Sequence, residues 1–142
     1  MADCSDPAIR EAYEEVRKDN VDTNWLLCTY AEGSDKVFAL VGKGTGGLDE
    51  LKEHLNENFR GFGYLRCTTG DELSVRSKFV FITYCGEKVR LIHRTKLTVH
   101  KADILRVIQQ VSISVDASTP NDLNMEDINA RLFKAGGAHY NQ

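Results

Sequence analysis

A chain of 142 residues with 42% apolar and 27% charged side chains has the size and composition of one globular domain with a sizeable core. Its net charge of −3 and pI near 5.8 lack the basic footprint of a nucleic-acid binder. No apolar run is long enough to span a bilayer and the opening MADCSDPAIR has no signal-peptide core, so a soluble, intracellular protein is expected.

Asp6 followed by Pro7 marks a helix start, an N-cap acceptor and then the residue whose missing N–H costs nothing at the first helical position. Ile9, Tyr13 and Val16 form an apolar stripe with Glu11, Glu14, Glu15, Arg17 and Lys18 outside it, which predicts a helix over 7–18. The apolar run from Thr23 to Tyr30 predicts a buried strand, and the Gly33-Ser34-Asp35 turn returns the chain into a second strand over 36–41, making a hairpin. Next, Gly42, Gly44 and Gly47 fit the G-x-G-x-x-G pattern of a dinucleotide site, after a strand and before a helix carrying Leu48, Leu51, Leu55 and Phe59. The match does not follow through. Such a site needs a parallel βαβ unit and an acidic residue at the end of the next strand, whereas here the preceding strand belongs to a hairpin and Asp71 lies 24 residues past Gly47 in a loop. Lys43 precedes the turn and no Gly-Lys-Ser/Thr opens the helix, so a flexible strand-to-helix connection is the better reading.

Phe62 to Thr68 predicts a third strand, and the near-continuous apolar run from Phe79 to Cys85 predicts a central strand covered on both faces. Between them, 69–78 is a long polar excursion, the kind of loop on a rigid sheet where function tends to sit. From Lys88 to Val111 runs a long helical pattern with two conflicting faces: Leu91, Ile92, Thr95, Val99 and Ala102 share one, while Leu97, Ile104, Leu105, Ile108 and Val111 share nearly the opposite one. One straight helix on one core cannot bury both, so a kink near His100, or a first half that reaches past the sheet, is expected. Either way Arg90, Arg94 and Lys101 would form a basic ridge facing outward. Ser112 to Val115 alternates as a short edge strand, and Asn124 caps a last helix with Ile128, Leu132 and Phe133 that ends at Gly136-Gly137.

A run of charges on a helix is as a rule a solvated face, but here the charge map is lopsided. Residues 76–106 carry a formal +6, leaving −9 for the rest of the chain. Such asymmetry steers partners and limits self-association, and a large acidic surface is the natural partner. The ridge has no interleaved stacking aromatics, which argues against nucleic acid. Cys4, Cys28, Cys67 and Cys85 are spread without a C-x-x-C and are expected as buried free thiols. His93 and His100 lack a third ligand at matching spacing, there is no G-x-S-x-G or H-E-x-x-H, and no constellation converges. No enzyme activity, metal or cofactor is expected.

The order of these elements, with Thr68-Thr69-Gly70-Asp71, Arg76-Ser77-Lys78-Phe79, the Phe79 to Tyr84 strand and the ending Lys134-Ala135-Gly136-Gly137-Ala138-His139-Tyr140, closely resembles the coactosins, single-domain members of the actin-depolymerising-factor homology fold. The likeness covers nearly the whole chain. It implies an α/β (α+β) fold: one domain over 1–142 with a core of about 6–135 and a tail over 136–142, a central mixed five-stranded sheet flanked by four or five helices, and a long kinked third helix. It also implies binding to filamentous actin without strong severing or monomer sequestration, at most weak binding to actin monomers, protection of filament ends from capping, a monomeric state, and a place in the cytoplasm and cytoskeleton. Carried over by position, Lys78 is the loop lysine that contacts filaments, with Arg76 beside it, and Arg94, Lys96 and Lys101 fall where the family places basic actin-facing residues. One departure is Val75, where coactosins commonly have Lys or Arg, so affinity is expected to be weaker or more salt-sensitive than the family norm.

The residue-level and family readings meet in one predicted patch: Arg76, Lys78, Arg90, Arg94, Lys96 and Lys101 together, with Leu97 as an apolar anchor. Two rivals stay open, an adaptor that binds acidic phospholipid headgroups through the same patch and a nucleotide-binding enzyme that uses Gly42 to Gly47.

Overall fold

A computed structural model describes residues 1–69 and 76–140, with the side chains of Thr69, Arg76 and 136–140 outside the description. The predicted loop residues 70–75, Val75 among them, therefore lie outside the described residues. The elements are α1 (Pro7–Arg17), β1 (Trp25–Tyr30), β2 (Phe38–Gly44), α2 (Gly47–Lys52), β3 (Arg60–Thr69), β4 (Arg76–Cys85), α3 (Leu91–Ile104), β5 (Ile113–Ala117), a single 3-10 turn over Pro120–Asp122, and α4 (Met125–Tyr140). One mixed five-stranded sheet runs in the order β2-β1-β3-β4-β5. Its first four strands are antiparallel neighbours, and β5 joins β4 in parallel. A parallel neighbour needs a crossover, and α3 supplies it.

Alternation along β4 divides the core. Phe79, Phe81 and Cys85 pack with α1 and α3 on one side, through Ile9, Tyr13, Val16, Leu97 and Ile104. Val80, Ile82 and Tyr84 pack with α2 and α4 on the other, through Leu48, Leu51, Ile128 and Leu132. The α1/α3 side is an aromatic ladder, with Tyr64 stacked on Phe79 and Phe62 on Phe81, each at 5.5 Å between centroids. Each such pair adds about 0.5–1.5 kcal/mol beyond its buried area.

Local signals held at the helix starts. The Asp6 carboxylate accepts from the Ala8 N–H at 3.0 Å ahead of Pro7, and the Asn124 side chain accepts from the Asp127 N–H at 2.9 Å. Several extents differ from expectation: β2 runs on through Gly42 to Gly44, expected in the connection, and α2 ends at Lys52, short of Leu55 and Phe59. The β3–β4 ladder continues to the pair Thr69↔Arg76, so Arg76-Ser77-Lys78 belongs to a strand; backbone pairing does not require apolar side chains once a hairpin projects beyond its core. Helix α4 also continues through Gly136-Gly137 to Tyr140, since glycine costs a helix about 1 kcal/mol per residue and ends it only where the chain turns. The four cysteines are free thiols, three of them buried, and burial pushes the Cys67 thiol up to about 11.

Candidate functional site

The two-faced helical pattern is resolved by leaving one face in solvent. Leu97, His100 and Ile104 of α3, and then Ile108, are buried, whereas Leu91 is 75% exposed, Ile92 57% and Val99 63%. Past Ile104 the chain continues in tightened turns, with Arg106 N–H donating to Asp103 O and Val107 N–H to Ile104 O. The kink of the long third helical segment is this join, displaced from His100 to the end of α3. The outward ridge is thus apolar, which corrects the expected basic one. Arg90 is exposed at the N-cap, but Arg94, Lys96 and Lys101 are half-buried along the flanks. Leu97, at 1% exposure, is core and not an anchor.

Each flanking cation has surroundings within the molecule. Arg94 donates to the carbonyls of Gly86 at 3.3 Å and Val89 at 3.4 Å. Lys101 lies 6.0 Å from the centre of the Phe81 ring, and Arg94 and Lys101 line a groove of about 380 Å³ between α3 and β5, opposite Asp116 and Asp122. Lys96 donates to Asp35 Oδ2 at 2.9 Å. The other Asp35 oxygen accepts from Arg60 at 2.7 Å, and His93 Nδ1 lies 3.6 Å from it. Hydrogen bonds from Lys96 first and Arg60 second hold the Asp35 carboxyl down at about 2.

His100, on the buried side of α3, shares a 2.7 Å hydrogen bond with the Tyr30 hydroxyl and meets the Phe38 ring edge-on. Burial lowers its pKa below the usual 6.5, helped by the positive charge of the Met1 amino group and then by Arg60 and Lys96, and opposed by Asp103. The unfolded chain therefore binds this proton more tightly than the folded one. Stability is full above the unfolded pKa and falls as pH drops through 6.5 toward the lower folded value. The melting temperature should decline between pH 7.5 and pH 5, and less so in His100→Gln; equal declines in both proteins would assign the pH response to other groups.

Lys78 sits elsewhere. It pairs with Cys67 near the start of β4 and alternates with Val80 and Ile82, so it projects on the α2/α4 side of the sheet. The start of α3 lies at the far end of β4, where Arg60, the partner of Cys85, donates to His93 O at 2.9 Å. Seven residue steps along the strand lead from Lys78 to Cys85, about 23 Å. The predicted single patch is therefore two, one holding Arg90 and the outer face of α3, the other holding Arg76 and Lys78. Helix α4 returns along β5, with Arg131 donating to Ser114 O at 2.8 Å. Phe133, 79% exposed, and exposed Lys134 lie beyond it toward the second patch.

With this geometry in hand, a family model described as cofilin/tropomyosin-type actin-binding protein matches residues 1–133. The chain belongs to that family. A coactosin of Dictyostelium discoideum is 43% identical over 141 residues, covering 99% of this chain and 95% of the relative. Among solved structures, coactosin from Entamoeba histolytica superposes with a TM-score of 0.87 at 29% identity, covering 96% of this chain and 97% of that one. Mouse coactosin, described as an actin filament binding protein, superposes with a TM-score of 0.78 at 30% identity over 99% and 96%.

In this cofilin-family domain the glycine-rich turn is filled from within. The Trp25 indole N–H donates to Glu50 Oε1 at 2.8 Å, the Gly46 N–H reaches the same oxygen at 3.3 Å, and the Gly47 N–H donates to Asn24 Oδ1 at 2.9 Å. A Cβ on Gly44 would stand 1.8 Å from Glu50 Oε1. Glycine there lets the protein's own carboxylate approach the backbone, a different use from the phosphate cradle that the pattern suggests. The exposed apolar residues Leu91, Ile92, Val99 and Phe133 are what the sequence reading missed. Their signal was present: a helix with two apolar faces offers one for a partner.

Proposed function

We propose that this domain binds the side of filamentous actin through two separate contact points, the outer face of α3 and the Arg76/Lys78 end of β4. The observation that carries the reading is the exposed apolar stripe Leu91, Ile92 and Val99 beside Arg90, in a chain whose family is described by actin binding. Apolar residues supply affinity once desolvated, and flanking cations supply association rate and salt dependence. Two contacts about 23 Å apart on different sides of the sheet suit a partner with a repeating surface. A filament can engage both and gain from effective concentration, whereas a monomer engages one, so monomer binding is weak. A side-binder of this kind holds subunits in place without strong severing and competes near filament ends with capping factors. Its working place is the cytoplasm and its cytoskeleton.

High-speed cosedimentation with actin filaments at 50 and 200 mM salt tests this. Pelleting is expected at the lower salt and a marked loss at the higher, as screening shortens the range of exposed charges. Absence of pelleting at low salt would sink the proposal. Lys78→Ala should weaken pelleting about tenfold, roughly 1.4 kcal/mol, with the thermal melt unchanged, because Lys78 is a half-exposed strand residue outside both core clusters. Undiminished pelleting would remove Lys78 from the contact.

A further inference from the structure

The first six residues of α3, Leu91 to Lys96, include no buried side chain. Hydrophobic burial, which fixes most surface helices on their domain, therefore begins only at Leu97. The front of α3 is held by polar ties to the turn of the β1–β2 hairpin and the start of β3. Arg60, whose side chain is 13% exposed, supplies one of them directly and braces the Asp35 carboxylate that supplies another, while Arg94 ties the helix to the carbonyls of Gly86 and Val89. One Arg60 guanidinium N–H donates to His93 O at 2.9 Å and another to Asp35 Oδ1 at 2.7 Å, and the group lies 3.8 Å over the Tyr30 ring. Asp35 gives its second oxygen to Lys96 at 2.9 Å. The fork geometry of arginine suits such a junction, since one rigid plane fixes two partners and stacks on a third.

We infer that Asp35 and Arg60 are positioning residues for the filament-facing side of α3, and that Lys96 is an internal strut rather than a contact. The inference rests on the filament-binding reading above. It gives Lys96 a role opposite to the one its place in the sequence suggests, because its ammonium is held by a carboxylate of its own chain. The clamp joins three elements that the sequence separates widely: the turn at Asp35, the first residue of β3 and the second turn of α3. It sets the direction in which Leu91, Ile92 and Val99 face, through the backbone of α3.

The sign of one substitution separates positioning from plain electrostatics. Asp35 is a negative charge close to a surface proposed to meet an acidic partner, so its neutralisation should tighten binding if charge alone matters. If Asp35 positions the helix, Asp35→Asn leaves Arg60 and Lys96 unneutralised and weakens filament pelleting at least fivefold. Lys96→Met should weaken it similarly, the double variant should be no worse than either single one, and Lys96→Arg should stay near the parent protein. Amide hydrogen exchange on the full-length chain without actin supplies a second readout. Exchange over 91–97 should quicken in Asp35→Asn while β3 and β4 stay protected. Pelleting of Asp35→Asn equal to or tighter than the parent, or weakened pelleting with unchanged exchange, overturns the inference. If the parent protein does not pellet, the filament reading fails on its own and the exchange result still decides the clamp.

Discussion

Gly61→Ala should destabilise the domain by about 3 kcal/mol, the upper range for forcing an extra carbon into a packed interior. Gly61 lies in β3 opposite Tyr84, where a Cβ would stand 2.2 Å from the carbonyl oxygen of Cys28 and 2.8 Å from the Phe59 ring. The first obstacle is backbone, so no rotamer change relieves it and β1 must move away from β3. For a chain of this length the melting temperature should drop on the order of 10 °C. Strand propensity predicts the opposite sign, because alanine loses less backbone freedom on folding than glycine. Gly33→Ala is the control: its Cβ meets nothing within 4 Å, but φ is +76°, so a smaller loss of about 1 kcal/mol is expected. Thermal melts of both variants decide it, and a Gly61→Ala melt within a degree of the parent would mean that the strands are looser than their register indicates.

Leu91→Asp should move stability and binding in opposite directions. Leu91 is the first residue of α3 and 75% exposed, so its removal opens no cavity. The first turn of α3 has no acidic residue and its N-cap, Arg90, makes no side-chain capping bond. An aspartate there would face the positive end of the helix dipole and add about 0.3–1 kcal/mol. The same change deletes an apolar contact and places a negative charge toward an acidic partner. If Leu91 is a hot spot of the filament contact, the loss is about 2 kcal/mol, roughly 30-fold in affinity. A melt at or above that of the parent together with collapsed pelleting is the expected pair of results. Retained pelleting would take the outer face of α3 out of the contact and leave the β4 end as the sole candidate.

Both predictions depend on which side of an element a residue ends up facing, and this is where sequence and tertiary structure part. The order of elements was legible because each has a local cause: an N-cap and Pro7 before α1, an Asx cap at Asn124 before α4, and the near-continuous apolar run of Phe79 to Cys85 in the central strand. The family likeness was legible for the same reason, since its motifs are contiguous. The grouping of the predicted site was not, because composition and spacing carry no information on which cations a fold gathers. Eight cations within 76–106 suggested one basic patch; the register of β4 and the crossover to β5 place Lys78 and Arg90 at opposite ends of the sheet.

Neighbours in the chain suffice to place the helices and strands in order, to mark the cysteines as unpaired and to show that the phosphate-loop pattern is incomplete. That Lys96 meets Asp35, that Glu50 fills the glycine turn, and that Leu91, Ile92 and Val99 face solvent follow from contacts between segments far apart in the chain. The reason is physical. A helix with two apolar faces can bury either, and the choice falls to the sheet, whose aromatic ladder of Tyr64, Phe79, Phe62 and Phe81 offers a surface to the face carrying Leu97, Ile104 and Ile108.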